Sequence, residues 1–322
     1  MRLSDVWQLV KETMSSWIDD YAPSMGAALA YYTMFSIAPL LLIVIAVAGF
    51  FFGSDAARGE IMVQLQGLMG DDGAQAVGSL LESVSKPSES FTATAIGLVV
   101  LAIGATTVFG ELQDALDRIW RAPAREKSSG IFGLIRARLL SFGMILGIAF
   151  LLIVSLVMSA AIAAMGKVWG AAFGAWETLA HITNMAVSFA LLTALFALIY
   201  KIMPRVSIRW HDVWIGAAVT SLLFAIGKFL IGFYIGKSGI ASGFGAAASL
   251  VVILVWVYYS AQIFLIGAEF TWVYAHKFGS RRGQPRPRPG EKEQPSRTAD
   301  LDRRAVAADE PPAGNGPAPR AA

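Results

Sequence analysis

The sequence predicts an all-α polytopic membrane protein, a six-helix transmembrane bundle with an N-terminal amphipathic helix and short outer-loop helices. Three observations predict it. The chain is 56% hydrophobic and 15% charged, whereas soluble domains carry about a quarter charged residues. Six stretches reach the roughly 20 apolar residues that cross a bilayer core. Of 26 Lys and Arg residues, 21 fall on one side of the topology those stretches define and four on the other, leaving Lys228 inside a span.

Taken in order, residues 1–24 form the first element. Leu3, Trp7, Val10, Met14, Trp17 and Tyr21 recur at spacings of three and four, the face of an amphipathic helix. That face either lies on the cytoplasmic interface or packs under the bundle; with four acids against two bases, electrostatic attraction to anionic lipid is weak. The membrane domain follows over 25–276, with spans near 25–52, 91–109, 139–165, 182–203, 213–235 and 244–274.

Between the spans the basic residues alternate. Arg2 and Lys11, six bases in 110–138, then Lys201, Arg205 and Arg209, and ten from Lys277 onward share one side. Arg58, Lys86, Lys167 and Lys237 hold the other. Positive-inside bias then places both termini of a multi-pass membrane protein in the cytoplasm; the resemblance given below implies that the membrane is the bacterial inner (plasma) membrane. The periplasmic loop 53–90 reads as two short amphipathic helices joined at Gly70-Asp71-Asp72-Gly73, expected to cap the outer mouth. The tail 277–322 carries eight of the 13 prolines and no aromatic beyond Phe278, so it is expected to be disordered.

Composition excludes some chemistries and leaves others open. Cysteine is absent, which removes disulfides, thiolate nucleophiles and Cys-based metal sites. His181 belongs to the outer side and His211 and His276 to the inner, so they cannot form one metal site. No Walker loop or nucleophile elbow is present, and neither an enzyme, a cofactor nor a nucleic-acid partner is expected. Asp71-Asp72 reads as a solvated turn before it reads as a cation site.

Lys228 is the most informative single residue. It lies about four residues, or roughly 6 Å, outward of its span's midplane. An intramembrane ammonium costs at least ~2.5 kcal/mol and usually faces an interior or a watery cavity. It either binds an anionic lipid or small-molecule substrate, or snorkels to the outer interface. Glu269 falls near the cytoplasmic boundary, where Lys201 or a base of 110–138 is its expected ion-pair partner. Gln262 and Asn184 need interhelical partners. Pro39, after Ser36-Ile37-Ala38, is expected to kink the first span, and discontinuous helices mark substrate sites in some transporters. Gly26 with its neighbouring alanines, Gly143/Gly147 and Gly232/Gly236 read as close-packing positions.

Four stretches together resemble the YihY/virulence factor BrkB family of bacterial membrane proteins. They are MGAALAYYTMFSIAPLLLIVIAV (Met25–Val47), ATTVFGELQDALDRIWRAP (Ala105–Pro123), YKIMP (Tyr200–Pro204) and WVYYSAQIFLIGAEFTWVY (Trp256–Tyr274). The resemblance covers roughly residues 15–277 and departs locally at Phe244, where the family leads one to expect a tyrosine. It implies an inner-membrane protein of envelope biology, and marks Tyr31, Tyr32, Pro39, Glu111, Asp114, Trp120, Lys228, Gln262 and Glu269 as important positions. Glu111, Asp114 and Lys201 are expected in an inner-face polar network, and Tyr31, Tyr32, Pro39, Lys228, Gln262 and Glu269 in binding. The family has also carried the label ribonuclease BN. Phosphodiester hydrolysis wants clustered metal ligands, which these residues do not supply. Function is therefore expected to be transport or lipid handling, with a non-transporting scaffold as the alternative, a membrane-associated ribonuclease third, and a homo-oligomer compatible with the first two.

Overall fold

The computed structural model describes residues 3–85, 107–122, 176–237 and 247–284, all of them helix, turn or connecting bend. The span expected at 139–165, most of that at 91–109, and the tail from 285 lie outside the described residues. The described helices are α1 (Leu3–Asp19), α2 (Ala22–Phe52), α3 (Ser54–Ser85), α4 (107–119), α5 (Trp176–Ile202), α6 (Trp210–Lys237) and α7 (Ala248–Lys277). Three of them contain stretches long and apolar enough to cross a membrane: Met185–Ile202, Trp210–Ile235 and Ala248–Lys277. The compact body runs to Gln284, because Phe278–Gln284 continues from α7 as a packed turn. The ordered chain thus extends past Lys277, the boundary suggested by proline content.

α7 is the hub, packing against α1, α2, α3 and α6. It is apolar around its whole circumference, as a helix surrounded by others must be. Its contact with antiparallel α6 is an interlock of small residues. Gly216 of α6 faces Thr271 of α7, and Gly267 of α7 faces Thr220 of α6. Each threonine hydroxyl donates back to the carbonyl one turn earlier, Thr220 to Gly216 at 2.8 Å and Thr271 to Gly267 at 2.7 Å. The hydroxyls are thereby satisfied inside the contact, and the missing glycine side chains let the backbones approach. Gly227 repeats the device against Ile263 and Tyr259. Gly232, expected to pack closely, has nothing within 4 Å of its Cβ position among the described residues.

The end of the bundle where α5 and α7 finish and α6 begins carries Lys201, Arg205, Lys277 and Arg281; it is called the basic end below. α1 leads into α2 there, beside the last turns of α7. Lys277 on α7 pairs with Glu12 on α1 at 2.7 Å. The buried side of α1 is Leu9 and Thr13, not the six-residue stripe read from sequence. Trp7, Val10, Met14, Ile18 and Tyr21 are exposed, Trp17 of that stripe leans on the core, and the Leu3 side chain lies outside the described residues. Helical periodicity identified an apolar face; the charges Glu12 and Lys277 chose the other side for docking.

α2 runs helical from Ala22 through Pro39 to Phe52, so the helix expected as the first span is not discontinuous. It ends at Gly53 (φ 87°), a left-handed conformation that costs a glycine little. The chain reverses there, and α3 folds back along α2 and against α7. Gly70 (φ 76°, ψ 178°) breaks α3 into two arms at the turn expected from the sequence. Met69, Ala76 and Val77 near that break pack with Ala30, Ile253 and Val257. The loop helices thus line the flank of the bundle down to Ala30, a correction to the expectation that they cap its mouth.

Candidate functional site

Three charged side chains meet in the buried basic end: Asp20 after α1, Arg121 after α4 and Glu269 on α7. Asp20 and Glu269 have no exposed surface, and Arg121 keeps 12% of its side chain exposed. Arg121 donates from Nη1 to Asp20 Oδ1 and to the carbonyl of Arg118, the latter at 3.0 Å. Asp20 and Glu269 are brought to one level of the bundle: Lys277 pairs with Glu12 beyond Glu269, Gln262 reaches Pro23 O before it, and Arg121, bonded to Asp20, lies over Trp272 three residues on from Glu269. Both Glu269 oxygens, Asp20 Oδ2 and Arg121 Nε find no other partner among the described residues.

Local backbone places these groups at a cost. Tyr21 (φ 58°) and Arg121 (φ 53°) are the non-glycine residues in the left-handed region among those described. Each such residue costs about 1–2 kcal/mol relative to ordinary helix geometry. At Arg121 the strain ends α4 as a Schellman-type turn, in which Ala122 N–H returns to Asp117 O at 2.8 Å. Glycine would relieve the strain but would remove the guanidinium. At Tyr21 the left-handed residue breaks the chain between α1 and α2, directly after Asp20. The Arg118 guanidinium covers the Tyr21 ring (5.7 Å), and Arg121 covers Trp272 (5.3 Å).

A polar layer surrounds this core. Asp117 on α4 accepts from the backbone N–H of Arg205 at 2.8 Å and meets its Nε at 2.7 Å. Burial raises the Asp117 carboxyl above its ordinary range, and the bonds from Arg205 oppose that rise. Asp114 pairs with the same arginine at 3.4 Å from an exposed position. Asp212, buried at the start of α6, accepts from Ser280 N–H at 3.1 Å, and a side chain at Gly279 would strike it. Arg281 lies 5.2 Å over buried Trp120 and donates to Ser207 O at 3.3 Å. Lys201 donates to Ile208 O and lies 5.4 Å over Trp210, so it closes the α5–α6 turn and does not pair with Glu269. Glu111 is half-buried on α4 and has no ion pair among the described residues.

The other expected binding residues do not converge. Gln262 Nε2 reaches Pro23 O at 3.5 Å and packs directly on Gly26, fastening α7 to the first turn of α2. Tyr31 is exposed and edge-on to Tyr32 and Phe35, with centroids 5.5 and 5.1 Å apart. The Pro39 and Asn184 side chains lie outside the described residues. Lys228 is half-buried on α6, one turn from buried Phe224 and Ile231, with its ammonium 5.4 Å over the Phe229 ring. Its neighbour Gly227 faces Tyr259, ten residues from Glu269 along α7, so roughly 15 Å of helix separates the two charges. No acidic partner reaches Lys228 among the described residues.

Sequence reasoning missed Asp20 as a site residue and counted Arg121 only as an orienting charge. The signal that was present is an acid immediately before an apolar span, where water is about to be excluded. What joins it to Arg121, some hundred residues away, is tertiary.

The pattern of the virulence factor BrkB family matches residues 13–292, most of the chain and all of this site. The chain belongs to that family. This BrkB-family protein is 26% identical over 274 residues to a UPF0761 membrane protein of Pseudomonas paraeruginosa, covering 84% of this chain and 64% of the relative. A UPF0761 membrane protein of Tolumonas auensis is 24% identical over 78% of this chain and 80% of its own length. One of Pseudomonas aeruginosa is 27% identical over 78% of this chain and 59% of its own. The match therefore spans about three fifths of the Pseudomonas relatives and more of the Tolumonas one. No solved structure matches the chain.

Proposed function

We propose that this BrkB-family membrane protein crosses the bacterial inner membrane six times, keeps both termini in the cytoplasm, and binds or moves an anionic amphiphile within the bilayer without being an enzyme. Lys228 carries the reading. An ammonium within a membrane-crossing helix, half-buried on its bundle side and lacking an acidic partner among the described residues, needs a negative charge from elsewhere. An anionic lipid headgroup or a small anionic substrate supplies it. The exposed stripe Trp7, Val10, Met14 and Tyr21 of α1 is compatible with a helix that rests on lipid at the cytoplasmic interface.

Native mass spectrometry from membranes tests this. The wild type should retain an anionic lipid or ligand that Lys228→Met loses, with little change in thermal stability because the ammonium has no ion pair to break. Identical retention by the variant would sink the reading.

A second reading, a non-transporting scaffold, is favoured by one observation. Ser280 and Arg281, a few residues ahead of the first proline of the tail, are fastened to Asp212 and Trp120. Truncation after Gln284 should abolish function if partners dock on that segment, and should leave anion retention unchanged if Lys228 is the site.

A further inference from the structure

Glu269 is a carboxyl with no exposed surface and two unpartnered oxygens, set between the Gln262–Pro23 and Lys277–Glu12 contacts and so at the level of a second fully buried carboxyl, Asp20. Among the described residues Arg121 is the cation of the cluster, and it is spent on Asp20 Oδ1. From α1, Asp19 adds a further negative charge. α6 presents Gly216 and Thr220 to this part of α7, and α5 presents the Tyr200 hydroxyl, which donates to Phe264 O at 2.7 Å. Neither brings a charge. Two buried carboxylates against one guanidinium leave a net negative charge in a medium where an unpaired ion costs several kcal/mol. Adjacent like charges of this kind are relieved by one proton shared between the oxygens, as in carboxyl dyads. A metal ion fits less well: two carboxyls offer too few oxygens for a hard cation that takes six or more, and no group of three acidic or imidazole ligands occurs among the described residues.

We infer that Asp20 and Glu269 form a proton-binding site at the basic end of the bundle, holding one proton between them while Arg121 compensates the remaining charge. Titration belongs to the pair and not to either residue. Because one carboxyl directly follows α1 and the other lies on α7, losing the proton places two like charges across that contact and loosens it. Proton occupancy thus governs how tightly the N-terminal helix docks. The site does not depend on the role given to Lys228.

Infrared difference spectroscopy on the full chain in lipid nanodiscs tests the site. At neutral pH the wild type should show a buried carboxylic C=O band that moves on exchange into D2O. Glu269→Gln and Asp20→Asn should each remove it, while Lys228→Met should leave it unchanged. Raising the pH at constant sodium should bleach the band, and raising sodium at constant pH should not. If Glu269→Gln fails to fold, Asp20→Asn and the wild-type titrations carry the test. Absence of the band from the wild type, its survival in both dyad variants, or its removal by sodium would each overturn the proposal, the last in favour of a metal cation.

Discussion

Replacing Arg121 by methionine is expected to destabilise the folded protein by about 3–5 kcal/mol, the cost of stranding a buried charge by removing its partner. Methionine keeps much of the side-chain volume against Trp272, so lost packing contributes little. What is lost is the cation facing Asp20, with Glu269 close behind. Chemical unfolding in mixed micelles should show the drop, and monodisperse yield should fall with it. The sign of the rescue is specific. Asp20→Asn added to Arg121→Met should recover much of the loss, because it removes the charge that Arg121 neutralised. Arg121→Lys should recover only part, since an ammonium lacks the fork that reaches Asp20 Oδ1 and Arg118 O together.

The second large effect belongs to the α6–α7 interlock. A Cβ at Gly267 would lie 2.0 Å from Thr220 Oγ1 and 2.7 Å from the Tyr200 hydroxyl, both fully buried. Valine there must part the two helices or break the Tyr200 bond to Phe264 O. Overpacking of this kind costs typically about 1–3 kcal/mol, and the β-branched side chain places it at the upper end. Gly216→Val should behave alike, since its Cβ would meet Thr271 Oγ1 at 1.8 Å. At Gly232, where nothing lies within 4 Å, valine should change thermal stability little. Comparing the three in one thermal assay separates helix contact from intrinsic glycine propensity. Thr220→Gly should relieve Gly267→Val more than it relieves Gly216→Val.

These positions show which parts of the molecule were legible in one dimension. Three of the expected spans, near 182–203, 213–235 and 244–274, could be read because a bilayer imposes a length and a polarity that no local context overrides. The break at Gly70 could be read because acids and glycines between apolar arms admit few conformations. Gly26 and Gln262 were both flagged, one as a packing position and one as a polar group in search of a partner, and they meet each other. The docking face of α1 was not legible. Its periodicity fits two faces, and the choice rests on Glu12 meeting Lys277 from the far end of the fold. Glu269 was expected to pair with Lys201 or a base of 110–138. Arg121, from that stretch, acts on it, while Lys201 is held at Ile208 O by the short turn after α5. Left-handed Tyr21 and Arg121 have no sequence signature, because glycine or asparagine is what such positions ordinarily advertise.

The cluster also bears on how the termini are organised. Asp20 precedes α2, Arg121 follows α4, Glu269 lies two turns before the end of α7, and Ser280 with Arg281 returns the chain to Asp212 and Trp120. Four segments distant in sequence are thus fixed at one end by polar contacts within an apolar body. Hydrophobic matching alone does not discriminate among helix registers in lipid, since lipid tails are as apolar as leucine. Charge and small-residue complementarity do. The interlock sets the register of α6 on α7, and the carboxylate–arginine cluster sets that of α1 and α4.

The direct measurement of that coupling is a double-mutant cycle between Asp20→Asn and Arg121→Met, read as unfolding free energy in mixed micelles. A buried, specific pair predicts an interaction energy of at least ~1.5 kcal/mol, so that the double variant is far more stable than the two single losses imply. Losses that add to within about 0.5 kcal/mol would show that the two residues do not interact, and would contradict the account of the basic end.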